Sequence, residues 1–131
     1  MSATGTGFLH TMVRVKDLDT SIAFYEKIGM KKLRTKDFPQ YKFTLVFLGF
    51  GDGPELELTY NYGREEPYAL GEGYGHIAIS VNNIHDMIAR LKETDPDRIV
   101  REPYTMGQSL IAFITDPDGY KIELIEKELK L

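Results

Sequence analysis

The chain contains no cysteine. That removes disulfides, thiolate metal ligands and a cysteine nucleophile together. It has no apolar run approaching 18 residues, so no transmembrane helix is expected. Its start, MSATGTGFLH, lacks the basic and apolar regions of a secretory signal. Basic charge is not in excess: 16 Lys and Arg stand against 20 Asp and Glu, a net −4. With no basic stripe either, nucleic acid is not an expected partner. Nor is a membrane, and the expected setting is cytoplasmic. What is present is ordinary globular material. Hydrophobic residues make up 42% and charged residues 27%, which argues against disorder. A chain of 131 residues buries roughly two-thirds of its unfolded surface and needs no staples.

An internal repeat organises the chain. A shift of 66 residues lays His10 on His76, Val15 on Val81 and Phe47 on Phe113. It also lays Asp52-Gly53 on Asp118-Gly119, and Glu57-Leu58 on Glu123-Leu124. Residues 1–131 therefore read as one domain made of two repeats, 8–62 and 74–127. The stretch 63–73, GREEPYALGEG, links them.

Both repeats have the same order of elements. An alternating strand comes first, HTMVRV (10–15) or HIAISV (76–81). A helix follows at 18–28 or 84–94, with Leu18, Ile22 and Tyr25, or Ile84, Met87, Ile88 and Leu91, on one face. Asp17 or Asp19, and Asn83, stand where N-caps belong. Three strands complete each repeat, near 30–36, 42–49 and 55–61, then near 98–105, 109–115 and 120–126. Gly-Asp-Gly-Pro (51–54) and Asp-Pro-Asp-Gly (116–119) join the last two as hairpin turns. The class is α+β, with two βαβββ modules in tandem.

Strand parity separates a polar set from the core. Val13 and Val15 share one face of their strand, and His10, Met12 and Arg14 the other. Ile77, Ile79 and Val81 oppose His76, Ala78 and Ser80. Leu56 and Leu58 alternate with Glu57 and Asn61, and Ile122 and Leu124 with Glu123. Both repeat-matched histidines and both repeat-matched glutamates thus avoid the evident core face. A lone strand histidine is ordinarily a surface or hydrogen-bonded residue. Two His and two Glu at one shared offset are the ingredients of a divalent metal site. Imidazole suits Zn, Ni, Co and Fe, and carboxylate adds hard oxygen donors.

These residues carry a family resemblance. LHTMVRVKDLDTSIAFYEKIGMK (9–31), LELTYNYG (56–63), YGHIAISV (74–81) and AFITDPDGYKIELIE (112–126) resemble glyoxalase I, lactoylglutathione lyase, of the vicinal oxygen chelate superfamily. The resemblance runs from His10 to about Glu126. It implies paired mixed sheets with a metal site in the cleft, and a homodimer with shared active sites. It implies His10, Glu57, His76 and Glu123 as metal ligands, the first two from one subunit and the last two from the other. The implied substrate is the hemithioacetal of methylglyoxal and glutathione, and the product S-D-lactoylglutathione. The implied chemistry is proton transfer between adjacent carbons, with the metal stabilising an enediolate. Glu123 is the leading catalytic base, with Glu57 serving the other stereoisomer. Arg14 and Asn61 match the substrate-binding positions for the glutamyl end of glutathione. The short N-terminus and compact linker resemble bacterial-type enzymes, which implies Ni²⁺ or Co²⁺ ahead of Zn²⁺ or Mn²⁺.

The chain also departs from the family. Glu72 stands where some relatives carry a base for the glycine carboxylate. The 103–108 stretch, PYTMGQ, lacks a lysine often found there, and Met106 and Gly107 are placed where a loop can close over substrate. Less positive charge admits another thiol, such as trypanothione. Rival readings are a dioxygenase, an epimerase, a thiol transferase, or a metal-free binding module of the same fold.

Overall fold

A computed structural model describes residues 2–127. The chain divides into two compact units, Met1–Tyr68 and Ala69–Leu131, and the division falls within 63–73. Unit 1 contains β1 (His10–Val15), α1 (Leu18–Lys27), β2 (Lys31–Phe38), β3 (Phe43–Gly49) and β4 (Glu55–Asn61). Unit 2 contains β5 (His76–Ser80), α2 (Ile84–Thr94), a 3-10 turn (Pro96–Arg98), β6 (Ile99–Met106), β7 (Ser109–Thr115) and β8 (Lys121–Lys127). Each unit has the expected βαβββ order. Among the described residues no helix is long and apolar enough to cross a membrane.

The sheets share one topology, β1-β4-β3-β2 and β5-β8-β7-β6. The first strand pairs in parallel with the last, and the other pairs are antiparallel. A parallel pair needs a crossover, which α1 and the two middle strands provide.

Both helices start on side-chain caps. Asp17 Oδ1 accepts from Thr20 N–H at 3.1 Å, and Asn83 Oδ1 accepts from Asp86 N–H at 3.0 Å. Each cap satisfies a backbone donor that has no partner within the helix. The face of α2 is the predicted one: Ile84, Met87, Ile88 and Leu91 are buried. The buried face of α1 is turned relative to expectation. It carries Ser21, Phe24 and Tyr25, followed by Ile28, while Leu18 and Ile22 are half-buried. Small Ser21, fully buried, belongs to that face, and an apolar count overlooks it.

Two further differences concern the edges. The strand β2 extends to Phe38, beyond the predicted 36, because its polar run KKLRTKD is held by pairing with β3 rather than by its own burial. The 103–108 stretch is not a loop. Pro103–Met106 belong to β6, and Gly107-Gln108 form a two-residue hairpin turn with Met106 opposite Ser109. Gly107 takes φ 61° there, a conformation glycine adopts without steric cost.

The turn before β8 has its own anchor. Asp116 is fully buried, and its Oδ1 accepts from the backbone N–H of Asp118 and of Tyr120, both at 2.9 Å. That closes an Asx-type turn and sets the β7–β8 register, with Phe113 opposite Glu123. Each hydrogen bond to a charged acceptor contributes about 1.5–3 kcal/mol. Asp116→Ala is therefore expected to lower unfolding free energy by about 3 kcal/mol or more, read from urea denaturation. An unchanged midpoint would show that the turn does not need this carboxylate.

Candidate metal centre

Parallel pairing positions the polar set. In unit 1, Met12 lies opposite Glu57 and His10 opposite Glu55. The rows alternate faces, so His10 reaches along β1 toward the Glu57 carboxylate. His10 Nε2 lies 3.0 Å from Glu57 Oε1. In unit 2, Ala78 lies opposite Glu123 and His76 opposite Lys121. His76 Nε2 lies 3.1 Å from Glu123 Oε1. Each of the two predicted repeats thus brings one His and one Glu together. Among the described residues no group of three or more His, Asp and Glu side chains gathers as metal ligands. Each pair offers two donors.

The donor sets suit a divalent cation. Two neighbouring ligands with bonds of about 2.1 Å at a right angle stand about 3.0 Å apart; a tetrahedral angle separates them by about 3.4 Å. The observed 3.0 and 3.1 Å fit the right angle. They are also hydrogen-bond distances, so each pair holds its shape without an ion.

Both histidines lean on an aromatic ring. His10 meets Phe47 edge-on, with centroids 5.6 Å apart and planes at 83°. His76 meets Phe113 in the same way, at 5.5 Å and 79°. The repeat alignment contains both phenylalanines, but only the contact reveals their role as supports that orient imidazole. A locked ring is what a metal ligand requires.

The two glutamates are held differently. Glu57 is 9% exposed although its face is not the helix-packed core. The Thr59 hydroxyl donates to Glu57 Oε2 at 3.0 Å, so both carboxylate oxygens of Glu57 have partners. The repeat places Ile125 at the position of Thr59. Glu123 therefore has its histidine but no matching hydroxyl. Strand parity shows the face of Thr59 and gives no hint of this bond.

The remaining predicted positions are also placed. Arg14 lies on β1 opposite Thr59, exposed, on the His10 face. Asn61 ends β4 half-buried, and its Nδ2 donates to Tyr68 Oη at 3.0 Å. Tyr62 is 41% exposed and donates its hydroxyl to Asp37. That bond is the main cause holding the Asp37 carboxyl below its usual range. His85, the third histidine, is exposed at the start of α2 and belongs to neither pair.

Tyr74 borders the second pair. Its ring packs on Tyr120, with centroids 5.1 Å apart, and its hydroxyl donates to Lys121 O at 3.1 Å. Burial first, and the Asp116 carboxylate second, push its phenol up to about 12. A phenol raised in the folded state stabilises the fold fully below its unfolded value near 10. That contribution is lost as pH rises through 12. In a phenolate absorbance titration, Tyr74→Phe is expected to remove a late-titrating phenol. Loss of one titrating near 10 would contradict the burial argument.

The fold is a duplicated βαβββ unit that carries one His–Glu pair on each sheet. The chain belongs to the Glyoxalase/Bleomycin resistance protein/Dioxygenase superfamily, whose family pattern matches residues 7–124. Within it the similarity lies with glyoxalase I. The lactoylglutathione lyase of Salmonella typhimurium is 51% identical over 124 residues, 90% of either chain. That of Escherichia coli O157:H7 is 49% identical over 126 residues, 92% of either chain. Among solved structures, the trypanothione-dependent glyoxalase I of Leishmania major superposes with a TM-score of 0.81 at 47% identity. The match covers 93% of this chain and 87% of that one.

Proposed function

We infer that this chain catalyses the lactoylglutathione lyase reaction. It isomerises the hemithioacetal of methylglyoxal and glutathione to S-D-lactoylglutathione. It is a lyase of glyoxalase I type. The observation that carries this reading is the paired His–Glu geometry on both sheets, taken with the relatives named lactoylglutathione lyase.

The reading makes His10, Glu57, His76 and Glu123 the metal ligands. Two copies of the chain form a homodimer, and the His10–Glu57 pair of one copy completes its site with the partner's His76 and the partner's Glu123. Each pair offers two donors, so a four-ligand site needs both kinds of pair. Likeness to the bacterial-type enzymes supports Ni²⁺ or Co²⁺ ahead of Zn²⁺ or Mn²⁺. The setting is cytoplasmic, and the two units work as one glyoxalase domain.

His10, Glu57, His76 and Glu123 would hold a divalent ion, which would supply Lewis acidity to the reaction. The chain's own groups do the rest. Glu123 takes the proton from the hydroxyl-bearing carbon and returns it to the neighbouring carbon. The uneven tethering of the two glutamates favours this assignment. Glu57 has partners on both oxygens, His10 and Thr59, whereas Glu123 has the His76 contact without the matching hydroxyl. A carboxylate that must swing benefits from fewer tethers. Arg14 offers a guanidinium fork to the glutamyl carboxylate, and Asn61 a side-chain amide beside it.

A second reading keeps the reaction and changes the thiol. The similarity to the trypanothione-dependent enzyme of Leishmania major favours it.

The first test is an anaerobic assay of chelator-treated protein with methylglyoxal and glutathione, adding Ni²⁺, Co²⁺, Mn²⁺ or Zn²⁺ singly. Thioester absorbance is expected to rise, most with Ni²⁺ or Co²⁺. Silence with every metal would overturn the reading for glutathione. His76→Ala is expected to abolish tight metal binding in equilibrium dialysis. Full metal occupancy in that variant would remove His76 from the ligand set. Thr59→Val is expected to weaken metal binding severalfold while Ile125→Val leaves it unchanged. Equal affinity in the two variants would deny the hydroxyl a positioning role.

A further inference from the structure

Phe47 supports His10, and it has a support of its own. A bulge at Leu33 shifts β2 so that Arg34, not Leu33, lies opposite Phe47 on β3. The Arg34 guanidinium covers the ring, 4.1 Å from its centroid. Its terminal nitrogens donate to Glu55, with Nη2–Oε1 at 2.7 Å and Nη1–Oε2 at 3.2 Å. Glu55 starts β4 and lies opposite His10. The contacts therefore run from His10 through Phe47 and Arg34 to Glu55, and return to the row in which they began. A single-point ion pair near the surface holds little. A two-point fork fixes both distance and plane, and here the fixed plane lies on an aromatic face.

Unit 2 repeats the positions without the clamp. A bulge at Val100 sets Arg101 opposite Phe113 in the same way. Lys121 lies opposite His76, in the place of Glu55, and offers no carboxylate. The Arg101 guanidinium lies 3.6 Å from the Tyr104 centroid instead. The two imidazoles thus make the same edge-on contact with rings that are held differently.

We propose that Arg34 and Glu55 are positioning residues for His10: the Glu55 carboxylate locks the Arg34 guanidinium onto Phe47, and the clamped ring fixes the plane of the His10 imidazole. The proposal rests on the reading of His10 as a metal ligand, and neither Arg34 nor Glu55 is a ligand in it. A side chain already held in its bound geometry loses less freedom when it binds. His10 is then the preset histidine of the site and His76 the adjustable one.

Charge and positioning predict opposite results for Arg34. A cation near the site repels a divalent ion, so by charge alone its removal tightens binding. Loss of the clamp weakens it. Competition titration of chelator-treated protein with Ni²⁺ is expected to show about tenfold weaker binding in R34Q and in E55Q, the lower end of what loss of a ligand-orienting group costs. The double variant R34Q/E55Q is expected to lose no more than either single one, because both act through one contact. Lys36 Nζ also faces Phe47, at 5.8 Å, so K36Q removes the same charge without the Glu55 anchor. It is expected to bind Ni²⁺ at least as tightly as the wild type. Unchanged or tighter binding in R34Q would overturn the positioning role. So would additive losses in the double variant, or a loss in K36Q equal to that in R34Q. The metal-free proteins give an independent readout. In ¹H–¹⁵N spectra of the imidazoles, the His10 signals are expected to move toward those of exposed His85 in R34Q and E55Q, while the His76 signals stay in place. Unmoved His10 signals would overturn the clamp. If the wild type binds no Ni²⁺, the ligand reading falls, and these spectra alone decide the clamp. Circular dichroism of the variants checks that they fold.

Discussion

The candidate centre depends on one constraint, the parallel pairing of the first strand of each unit with its last. That pairing puts Met12 opposite Glu57 and Ala78 opposite Glu123. The pleat then turns each histidine and each glutamate to the same face. A slip of one residue would send His10 or Glu57 into the helix-packed core and expose a valine or leucine. The register is fixed from both sides. Burial of Val13, Val15, Leu56 and Leu58 holds unit 1, and Ile79, Ile122 and Leu124 hold unit 2. The core thereby determines the geometry of the polar face it does not contain.

On that frame the two units diverge in ways suited to different tasks. Unit 1 holds its carboxylate firmly, with His10 and Thr59 on opposite oxygens of Glu57. It also neutralises its neighbouring arginine with Glu55. Unit 2 tethers Glu123 less and gathers two cations beside His76. One half thus holds its carboxylate on both oxygens and the other on one, as the proposed base role of Glu123 requires. The repeat supplies the symmetric His–Glu pairs, and the differences at Thr59/Ile125 and Glu55/Lys121 distinguish the halves.

Much of this was legible in the sequence because the fold repeats it. The shift of 66 residues relates both His–Glu pairs and both Asp-Gly turns in the sequence itself. Alternation placed His10, His76, Glu57 and Glu123 on the correct faces. What escaped the sequence has physical reasons. The bond from Thr59 to Glu57 joins residues two apart on one strand, where parity gives the face but not the rotamer. The edge strands β2 and β6 take their order from pairing with β3 and β7 rather than from their own burial, so their ends were misjudged. The turned face of α1 reflects Ser21, which is small enough to be fully buried there.

The central claim is that each His–Glu pair is half of a metal site completed by a second copy. Subunit complementation tests it most directly. His10→Ala and His76→Ala homodimers each have a damaged ligand set at both sites. When the two variants are mixed and allowed to exchange subunits, a heterodimer regains one intact site and loses both histidines at the other. The account predicts one tightly bound divalent ion per heterodimer, with catalytic activity returning in proportion to heterodimer formed. If heterodimers form but recover neither metal nor activity, each site is made within one chain, and the account of divided ligand pairs is wrong.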